Sequence, residues 1–212
     1  MGCDKALLAL GGRAAILHLL DAAAGAGLTQ PSDPALVITG ANHESIAAVL
    51  QAAGCAAEAC HNPNWAAGRT GGLALALPLR PGRDLLLAPV DCPLVGSQVF
   101  EALCCAWEQA GQPPRGWLAP RLEPPPGSGS AYGHPVVLGH ELAAGLANLL
   151  CDAPLRDLRA RAQPLLAVSV QEQAILDDLD EPGDLQDLRA RLARASGPAP
   201  GPQEPNPPSG SP

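Results

Sequence analysis

The sequence predicts an α/β fold in which helices cover both faces of a mostly parallel sheet. Short apolar runs of strand length alternate along the chain with longer segments whose apolar residues recur at helical spacing. The clearest strand is LLLAPV (85–90), which is apolar enough to be buried on both faces and is followed by Asp91. The 212 residues, 47% of them hydrophobic, can build the core of one domain of this class.

The first half of the chain alternates three helices with three strands. We predict helices over 13–26, 42–53 and 66–77, and strands over 35–39, 55–60 and 84–90. Asn42 can cap the second helix and Gly54 can end it, because these residue types are favoured at those positions. The apolar pattern is weakest over 55–60, so that strand rests mainly on its place in the alternation.

The second half continues the alternation and then loses it. Helices are predicted over 97–109, 143–150, 155–162 and 184–195, and strands over 116–120, 135–138 and 165–170. Ser97 can cap the first of these helices. Three prolines and a Gly/Ser run make residues 123–130 an exposed loop. After residue 195 the sequence is rich in Pro, Gly and Ser. We therefore expect one folded domain over 1–195 and a disordered tail over 196–212.

Composition and charge exclude several classes of protein. A formal net charge of −8 argues against a binder of nucleic-acid phosphates, and 2% aromatic residues argue against a base-stacking surface. No apolar run approaches the length of a membrane span, and the first residues do not resemble a signal peptide. The seven cysteines are odd in number and form no CxxC pair. That usage predicts reduced thiols in a cytoplasmic protein.

Asp91 has two interpretations when its own neighbours are considered alone. An aspartate close to a proline, here Pro93, is common turn chemistry. In open α/β sheets, however, ligands bind at the carboxyl ends of the strands, where a carboxylate is well placed for a metal ion or a sugar hydroxyl. The order of motifs along the rest of the chain favours the second interpretation.

Five short motifs, in one order, resemble those of the molybdenum cofactor nucleotidyltransferases. They are MGCDKALLALGG (1–12), NPNWAAGRTGGL (62–73), APVDCPLV (88–95), YGHPVVL (132–138) and LDDLDEPGDL (176–185). The resemblance extends over residues 1–193. The Gly-His-Pro and Asp-x-Asp versions of these motifs are more similar to the cytidylyltransferase branch of the family than to the guanylyltransferase branch.

The resemblance implies a Rossmann-like three-layer α/β/α sandwich, with an NTP transferase domain over 1–195. It implies transfer of CMP, or GMP, from CTP or GTP to the phosphate of molybdopterin, with release of pyrophosphate and with Mg²⁺ as cofactor. A molybdoenzyme or its chaperone would be a protein partner, and neither nucleic acid nor membrane is expected. Two rivals stay open: a sugar-phosphate or other NTP transferase on the same fold, and a non-catalytic relative that binds the cofactor.

The same motifs assign the metal and phosphate ligands. Asp91 and Asp180 are the expected Mg²⁺ ligands, since Mg²⁺ typically uses one or two carboxylates together with phosphate oxygens. Asp178 lies two residues before Asp180, so in an extended segment it would share the same face and assist. Lys5 is the expected catalytic and nucleotide-binding cation, a point charge on a flexible stem. The alternative interpretation of Lys5 is an ordinary surface lysine.

Further residues are assigned to the nucleotide and the pterin. Asn62, Gly68 and Thr70 are expected near the base or ribose, although the same segment could simply begin a helix with Asn64 as its cap. We expect Trp65 to fill the core rather than to stack on a ligand. His134 would contact the pterin. The alternative interpretation is that His134 has only a structural role.

The front of the sequence departs from the family pattern. Family members begin with a strand and a glycine-rich loop whose backbone N–H groups hold the triphosphate. This sequence starts at Met1, where that loop would end. We therefore expect the first strand to be missing, and an upstream-extended form to turn over CTP better than this one. Arg69, Gly71 and Gly72 also stand where the family usually has Met and two small hydroxyl residues, which leaves the base choice open.

Overall fold

Strands and helices alternate through residues 4–123 and 129–195, which the computed structural model describes. The strands are β1 Ala9–Leu10, β2 Arg13–Ala14, β3 Ala35–Thr39, β4 Ala57–His61, β5 Leu85–Leu87, β6 Trp117–Leu122, β7 Ala131–Tyr132, β8 Val136–Leu138 and β9 Leu165–Val170. The α-helices are α1 Ala15–Gly25, α2 His43–Ala53, α3 Arg69–Ala74, α4 Ala76–Leu79, α5 Ser97–Gln109, α6 His140–Ala144, α7 Leu155–Arg159 and α8 Pro182–Ala195. The 3-10 helices are Lys5–Leu7, Trp65–Ala67, Gly145–Asn148 and Gln173–Leu176. The predicted tail, 196–212, lies outside the described residues.

Five of the described strands form the main sheet, with β6 at its centre. Strand β6 pairs parallel to β9 and antiparallel to β7 and β8, and β5 pairs antiparallel to β8. Strands β3 and β4 form a parallel pair of their own, and β1 and β2 form a small antiparallel ladder. The α/β prediction is confirmed, with mixed rather than mostly parallel pairing among the described strands. Only eight residues, 123–130, connect β6 to β7, which is too few for the crossover that a parallel pair needs, so the chain returns antiparallel.

Helices cover both faces of the main sheet because side chains alternate along β6. Leu118 lies in a cluster with Phe100 of α5 on one face. Trp117, one residue earlier, lies in a second cluster with Leu142 of α6 and Leu158 of α7. The predicted order of helix layer, sheet and helix layer is therefore present around this sheet.

Helix α1 joins the main sheet to the β3–β4 pair. Its Leu19 packs into the cluster that α5 forms on the main sheet. Its Ile16 and Leu20 pack instead with Ile46 of α2 and with Val37 of β3. The buried side chains of one helix thus fix the two sets of strands relative to each other.

Several predicted elements are shorter or broken. The predicted helix over 66–77 is divided into a 3-10 turn, α3 and α4, and the first of these two breaks is made by Gly68, which has φ 130° and ψ 160°. Strand β5 ends at Leu87, since Pro89 has no N–H to continue a ladder. Gly54 ends α2 in the left-handed region, as predicted. Neither Asn42 nor Ser97 makes the predicted side-chain cap.

Membrane-spanning helices and the state of the cysteines are described for residues 4–123 and 129–195. None of their helices combines the length and the apolar character needed to cross a membrane. Their six cysteines are all free thiols: Cys55, Cys60, Cys92, Cys104, Cys105 and Cys151. Cysteine therefore contributes to this part of the chain through packing and hydrogen bonds rather than through cross-links.

Candidate functional site

Lys5, Asp91 and Asp180, which belong to three distant motifs and are predicted to act together, meet at one point. The Lys5 ammonium donates to Asp91 Oδ1 at 2.8 Å and also to Asp180 Oδ1. The Asp91 side chain is 18% exposed and the Asp180 side chain 63% exposed, so the group lies at the surface with Asp91 on its inner side. Both carboxylates therefore converge on one cation.

A short N-terminal turn positions Lys5. Asp4 caps the 3-10 helix Lys5–Leu7, and its Oδ1 accepts from the N–H of Ala6 at 2.9 Å. Its other oxygen accepts from Asn42 Nδ2 at 3.1 Å, just beyond the carboxyl end of β3. Ala6 is buried in the cluster formed by α1 and α2. The turn is thus fixed at both its cap and its apolar side, and Lys5 extends from it toward Asp91.

The chain after β5 is bonded directly to the segment that carries Asp180. The N–H of Leu179 donates to the carbonyl of Asp91 at 3.2 Å. The buried thiol of Cys92 donates to the carbonyl of Asp177 at 3.0 Å. These two bonds hold the carboxylates of Asp91 and Asp180 near each other although 88 residues separate them in the sequence.

The start of α8 fixes Asp180 from the other side. Asp184 Oδ2 accepts from the backbone N–H of Asp180 at 3.0 Å and from that of Glu181 at 2.6 Å. An acidic side chain that accepts these first N–H groups is a typical helix N-terminal arrangement. The local sequence DEPGD therefore determines how Asp180 is presented.

The charges of the cluster shift its titration. A hydrogen bond from Lys5 lowers the pKa of Asp180 below its ordinary value. Burial and the neighbouring charges of Asp180 and Asp91 raise the pKa of Asp178. Burial opposes the charged form of Lys5, but its hydrogen bonds to Asp180 and Asp91 outweigh burial and raise its pKa. Of the two acids on this segment, Asp180 is thus the more readily ionised.

Arg69 is a further member of the site, beyond the residues that the motifs assign. Its Nη1 lies 3.5 Å from Asp91 Oδ2, and its side chain is 92% exposed. It stands at the first position of α3, immediately after Gly68. The signal that the sequence offers for this role is a basic residue in a loop that the family resemblance assigns to the nucleotide.

The other predicted loop residues brace the loop in this structure. Thr70 is buried, and its hydroxyl donates to the carbonyl of Ala153 at 2.6 Å. Asn62 is also buried, and its Oδ1 accepts from the N–H of Asn64 at 3.0 Å. A Cβ on Gly68 would lie 2.2 Å from a backbone oxygen of the neighbouring loop. Contact of these three residues with a nucleotide stays a prediction.

The expectation that Trp65 fills the core is wrong. Trp65 is 52% exposed and begins the 3-10 turn that follows β4. It lies over Gly40, where an added Cβ would come within 2.8 Å of the Trp65 Cβ. Because Gly40 has no side chain, Trp65 can pack against this position and stay half exposed, which the local sequence around Trp65 does not reveal.

His134 lies close enough to the site to be affected by its charges. Its backbone N–H donates to the carbonyl of Ile175 at 2.9 Å, whereas Nδ1 of its ring is buried with no hydrogen-bond partner among the described residues. Burial lowers the pKa of His134, and the charge of Asp91 opposes that effect only in part. Burial therefore favours the neutral form of this imidazole, and its predicted contact with the pterin stays a prediction.

The donor set fits a magnesium ion that is bound together with phosphates. The Lys5 ammonium acts as a stand-in cation, because it bridges the carboxylates of Asp91 and Asp180. Among the described residues, no group of three or more His, Cys, Asp or Glu side chains is arranged to hold a metal ion. Mg²⁺ commonly binds one or two carboxylates and completes its shell with substrate phosphates and water, so two converging aspartates are sufficient.

Comparison with solved structures places the fold among nucleotidyltransferases. Rv0371c from Mycobacterium tuberculosis H37Rv has a TM-score of 0.68 with 20% identity, and the match covers 90% of each chain. Its complex with manganese has a TM-score of 0.67 with 20% identity, covering 89% of this chain and 93% of that one. 2-C-methyl-D-erythritol 4-phosphate cytidylyltransferase from Thermus thermophilus has a TM-score of 0.64 with 19% identity, covering 90% and 94%. At these identities the likeness establishes the fold.

The sequence itself gives the family. No curated protein matches it. The family described as the MobA-like NTP transferase domain matches residues 1–168, which is most of the chain and includes Lys5, Arg69 and Asp91. The chain therefore belongs to the family of MobA-like NTP transferase domains.

Proposed function

We propose that this NTP transferase moves CMP from CTP, in preference to GMP from GTP, onto the phosphate of molybdopterin and releases pyrophosphate. Membership of the family supports the nucleotidyl transfer, and the Gly-His-Pro and LDDLDEP motifs support the cytidylyl branch. The observation that carries the proposal is the bridge that Lys5 makes between Asp91 and Asp180.

The charges of the cluster suit the bond changes of this reaction. An oxygen of the acceptor phosphate forms a bond to the α-phosphorus of the nucleotide, while the bond from that phosphorus to the bridging oxygen breaks. The electron pair of the broken bond leaves on pyrophosphate. Lys5 and Arg69 both reach Asp91, so both can donate hydrogen bonds to phosphate oxygens on which this charge develops.

Asp91 and Asp180 would hold Mg²⁺, with Asp178 as the neighbouring acid. Bound there, the ion would supply positive charge to the triphosphate without any proton transfer. The manganese complex of Rv0371c, a structurally similar protein, supports a divalent cation in this fold. Asp91 is the inner and less exposed of the two ligands, and it would therefore set the position of the cation.

The remaining predicted residues would contact the pterin of the acceptor and the base or ribose of the nucleotide. His134, whose pKa is lowered by burial, would face the pterin as a hydrogen-bonding group. The segment that contains Asn62, Gly68 and Thr70 would lie along the base or ribose. The exposed face of Trp65 lies on the same segment and offers a flat apolar surface to a ring.

We also propose that the protein works in the cytoplasm and delivers its product to a molybdoenzyme or its chaperone. The free thiols of all six described cysteines are compatible with a reducing compartment. A nucleotide-modified cofactor must be handed to the enzyme that uses it, so a protein partner follows from the proposed product.

The test is release of pyrophosphate with CTP, GTP, ATP and UTP, each with and without molybdopterin. We expect release to require molybdopterin and to be fastest with CTP. No release with molybdopterin and either CTP or GTP would contradict the proposed function. Release with a sugar phosphate, but not with molybdopterin, would support the rival transferase on the same fold.

A further inference from the structure

The carboxylate of Asp91 is held by basic side chains at both of its oxygens. Oδ1 accepts from the Lys5 ammonium at 2.8 Å, and Oδ2 lies 3.5 Å from Arg69 Nη1. The same ammonium also bonds to Asp180. The two carboxylates proposed to hold a metal ion are therefore already partnered by cations of the chain itself.

These contacts make binding of a bare divalent cation unfavourable. A divalent cation bound to Asp91 and Asp180 would have to displace the Lys5 ammonium, which would then lie unpaired beside a charge of +2. The Lys5 side chain is only 27% exposed, so water cannot fully screen that repulsion. Arg69 would lose its partner at the same time, although its 92% exposed side chain can turn into solvent.

A cation that arrives with a triphosphate changes this balance. The phosphate oxygens are strong acceptors for both an ammonium and a guanidinium group. Lys5 and Arg69 can then exchange the carboxylate of Asp91 for phosphate, and the carboxylate is released to the metal. The exposed Arg69 is free to follow the phosphates, whereas Lys5 stays on the turn that Asp4 fixes.

We propose that Lys5 and Arg69 make the site selective for the complex of a divalent cation with a nucleoside triphosphate over the divalent cation alone. The inference rests on the proposed function in one respect, which is that the ligand is a nucleotide. It does not depend on which acceptor receives that nucleotide.

The test compares two affinities in the full 212-residue protein. Mn²⁺ binding is measured by electron paramagnetic resonance, alone and with α,β-methylene CTP, for the wild type, Lys5→Met and Arg69→Met. We expect Lys5→Met to bind Mn²⁺ alone roughly tenfold more tightly, the scale expected of one charge a few ångströms away in a partly exposed site. We expect the same variant to bind Mn²⁺ with the analogue at least tenfold more weakly. Arg69→Met should change both affinities in the same directions but less.

Three controls separate a local effect from a general one. Arg83→Met also removes one positive charge, but Arg83 precedes β5 whereas Asp91 follows it. This variant should therefore change neither affinity. Lys5→Arg keeps the charge and should bind Mn²⁺ alone as weakly as the wild type. Asp91→Asn should lose Mn²⁺ in both measurements. Thermal melting of each variant checks that it is folded, and Arg69→Met, altered at an exposed side chain, keeps the test valid if Lys5→Met unfolds.

The outcomes distinguish this inference from the proposed function. Unchanged or weaker binding of Mn²⁺ alone by both Lys5→Met and Arg69→Met contradicts the inference. Failure of the wild-type protein to bind analogues of CTP and GTP, with or without Mn²⁺, contradicts the proposed function instead. Opposite changes in the two affinities, with no change in Arg83→Met, support the inference.

Discussion

At the residue scale, Asp91 links the basic side chains of the site to the segment that carries Asp180. Its carboxylate contacts Lys5 and Arg69, and its backbone carbonyl accepts from Leu179. We predict that Asp91→Asn, which keeps the shape but removes the charge, lowers the rate of pyrophosphate release by about 100-fold or more. Asp33→Asn is the matched control, because Asp33 pairs with Arg83 away from the cluster. Equal losses in the two variants would contradict the assignment.

Cys92 adjoins Asp91 but has no place in the chemistry. Burial, followed by the charge of Asp177, raises the pKa of Cys92 to about 12. Because the thiolate is the reactive form, we predict that iodoacetamide at about pH 8 leaves Cys92 unmodified in the native protein while the exposed Cys105 and Cys151 react. Mass spectrometry of peptides from the labelled protein measures this. Labelling of Cys92 at the rate of Cys105 would contradict it.

The residues that the sequence could reveal are those set by a local motif. Asp91 ends an apolar run and Asp180 stands in an acidic turn, so both are visible without coordinates. The contact of Arg69 with Asp91 spans 22 residues and depends on how two loops fold together. The exposure of Trp65 likewise depends on Gly40, a residue of another loop. Such contacts follow from tertiary packing, which local patterns do not contain.

At the element scale, the segment between β4 and α3 is held by the loop around Cys151. The N–H of Gly71 donates to the carbonyl of Cys151 at 3.2 Å, and a Cβ on Gly68 would lie 2.2 Å from that same oxygen. Gly68 also has φ 130°, a conformation that other residues rarely adopt. The close approach of two loops therefore requires glycine at this position.

We predict that Gly68→Ala lowers the free energy of unfolding by about 3 kcal/mol or more, because strain and overlap with backbone add together. Gly54→Ala is the matched control. Gly54 also has positive φ, but nothing lies within 4 Å of its added Cβ, so the cost should be about 1–2 kcal/mol. Urea denaturation measures both. Equal costs would show that the Cys151 loop yields without penalty.

Elements bounded by clear local signals were predicted well. Strands β3 and β9 and helix α5 have the predicted limits, since apolar runs and glycines mark them. The helix predicted over 66–77 is present only in pieces, because its apolar spacing continues across Gly68 whereas the backbone leaves the helical conformation there. The spacing of apolar residues predicts which face of a helix is buried. It does not predict the break at Gly68, where the backbone lies against that of Cys151.

At the scale of the whole molecule, α8 ties the two ends of the described chain together. Leu188 is 3% exposed and packs with Leu10 and Leu179. Arg189 Nε donates to the carbonyl of Ala9 at 3.0 Å. We predict that Leu188→Ala costs about 2–4 kcal/mol in the free energy of unfolding, measured by urea denaturation. The control, Leu165→Ala, removes a leucine that is 56% exposed and should cost far less.

The sequence was sufficient for the layered α/β architecture but not for the direction of every strand. Alternating apolar patterns predict the layers, because each helix must bury one face against a sheet. The direction of β8 depends on the path of the chain from β6, which contains prolines and no periodic pattern over 123–130. Eight residues are too few for a parallel crossover, but β7, through which the chain turns back, is only two residues long and has no apolar pattern that would predict it.

The bridge between Lys5, Asp91 and Asp180 also bears on how the protein folds. Its two bonds span 86 and 175 residues of sequence, so each closes a very long loop. Contacts of such high order form late and slow the folding of a domain. During synthesis, no competent site can exist until residue 180 has left the ribosome. The Lys5–Asp91–Asp180 cluster is therefore complete only when folding is complete, and if it carries the proposed activity, that activity should return during refolding only with the slowest phase.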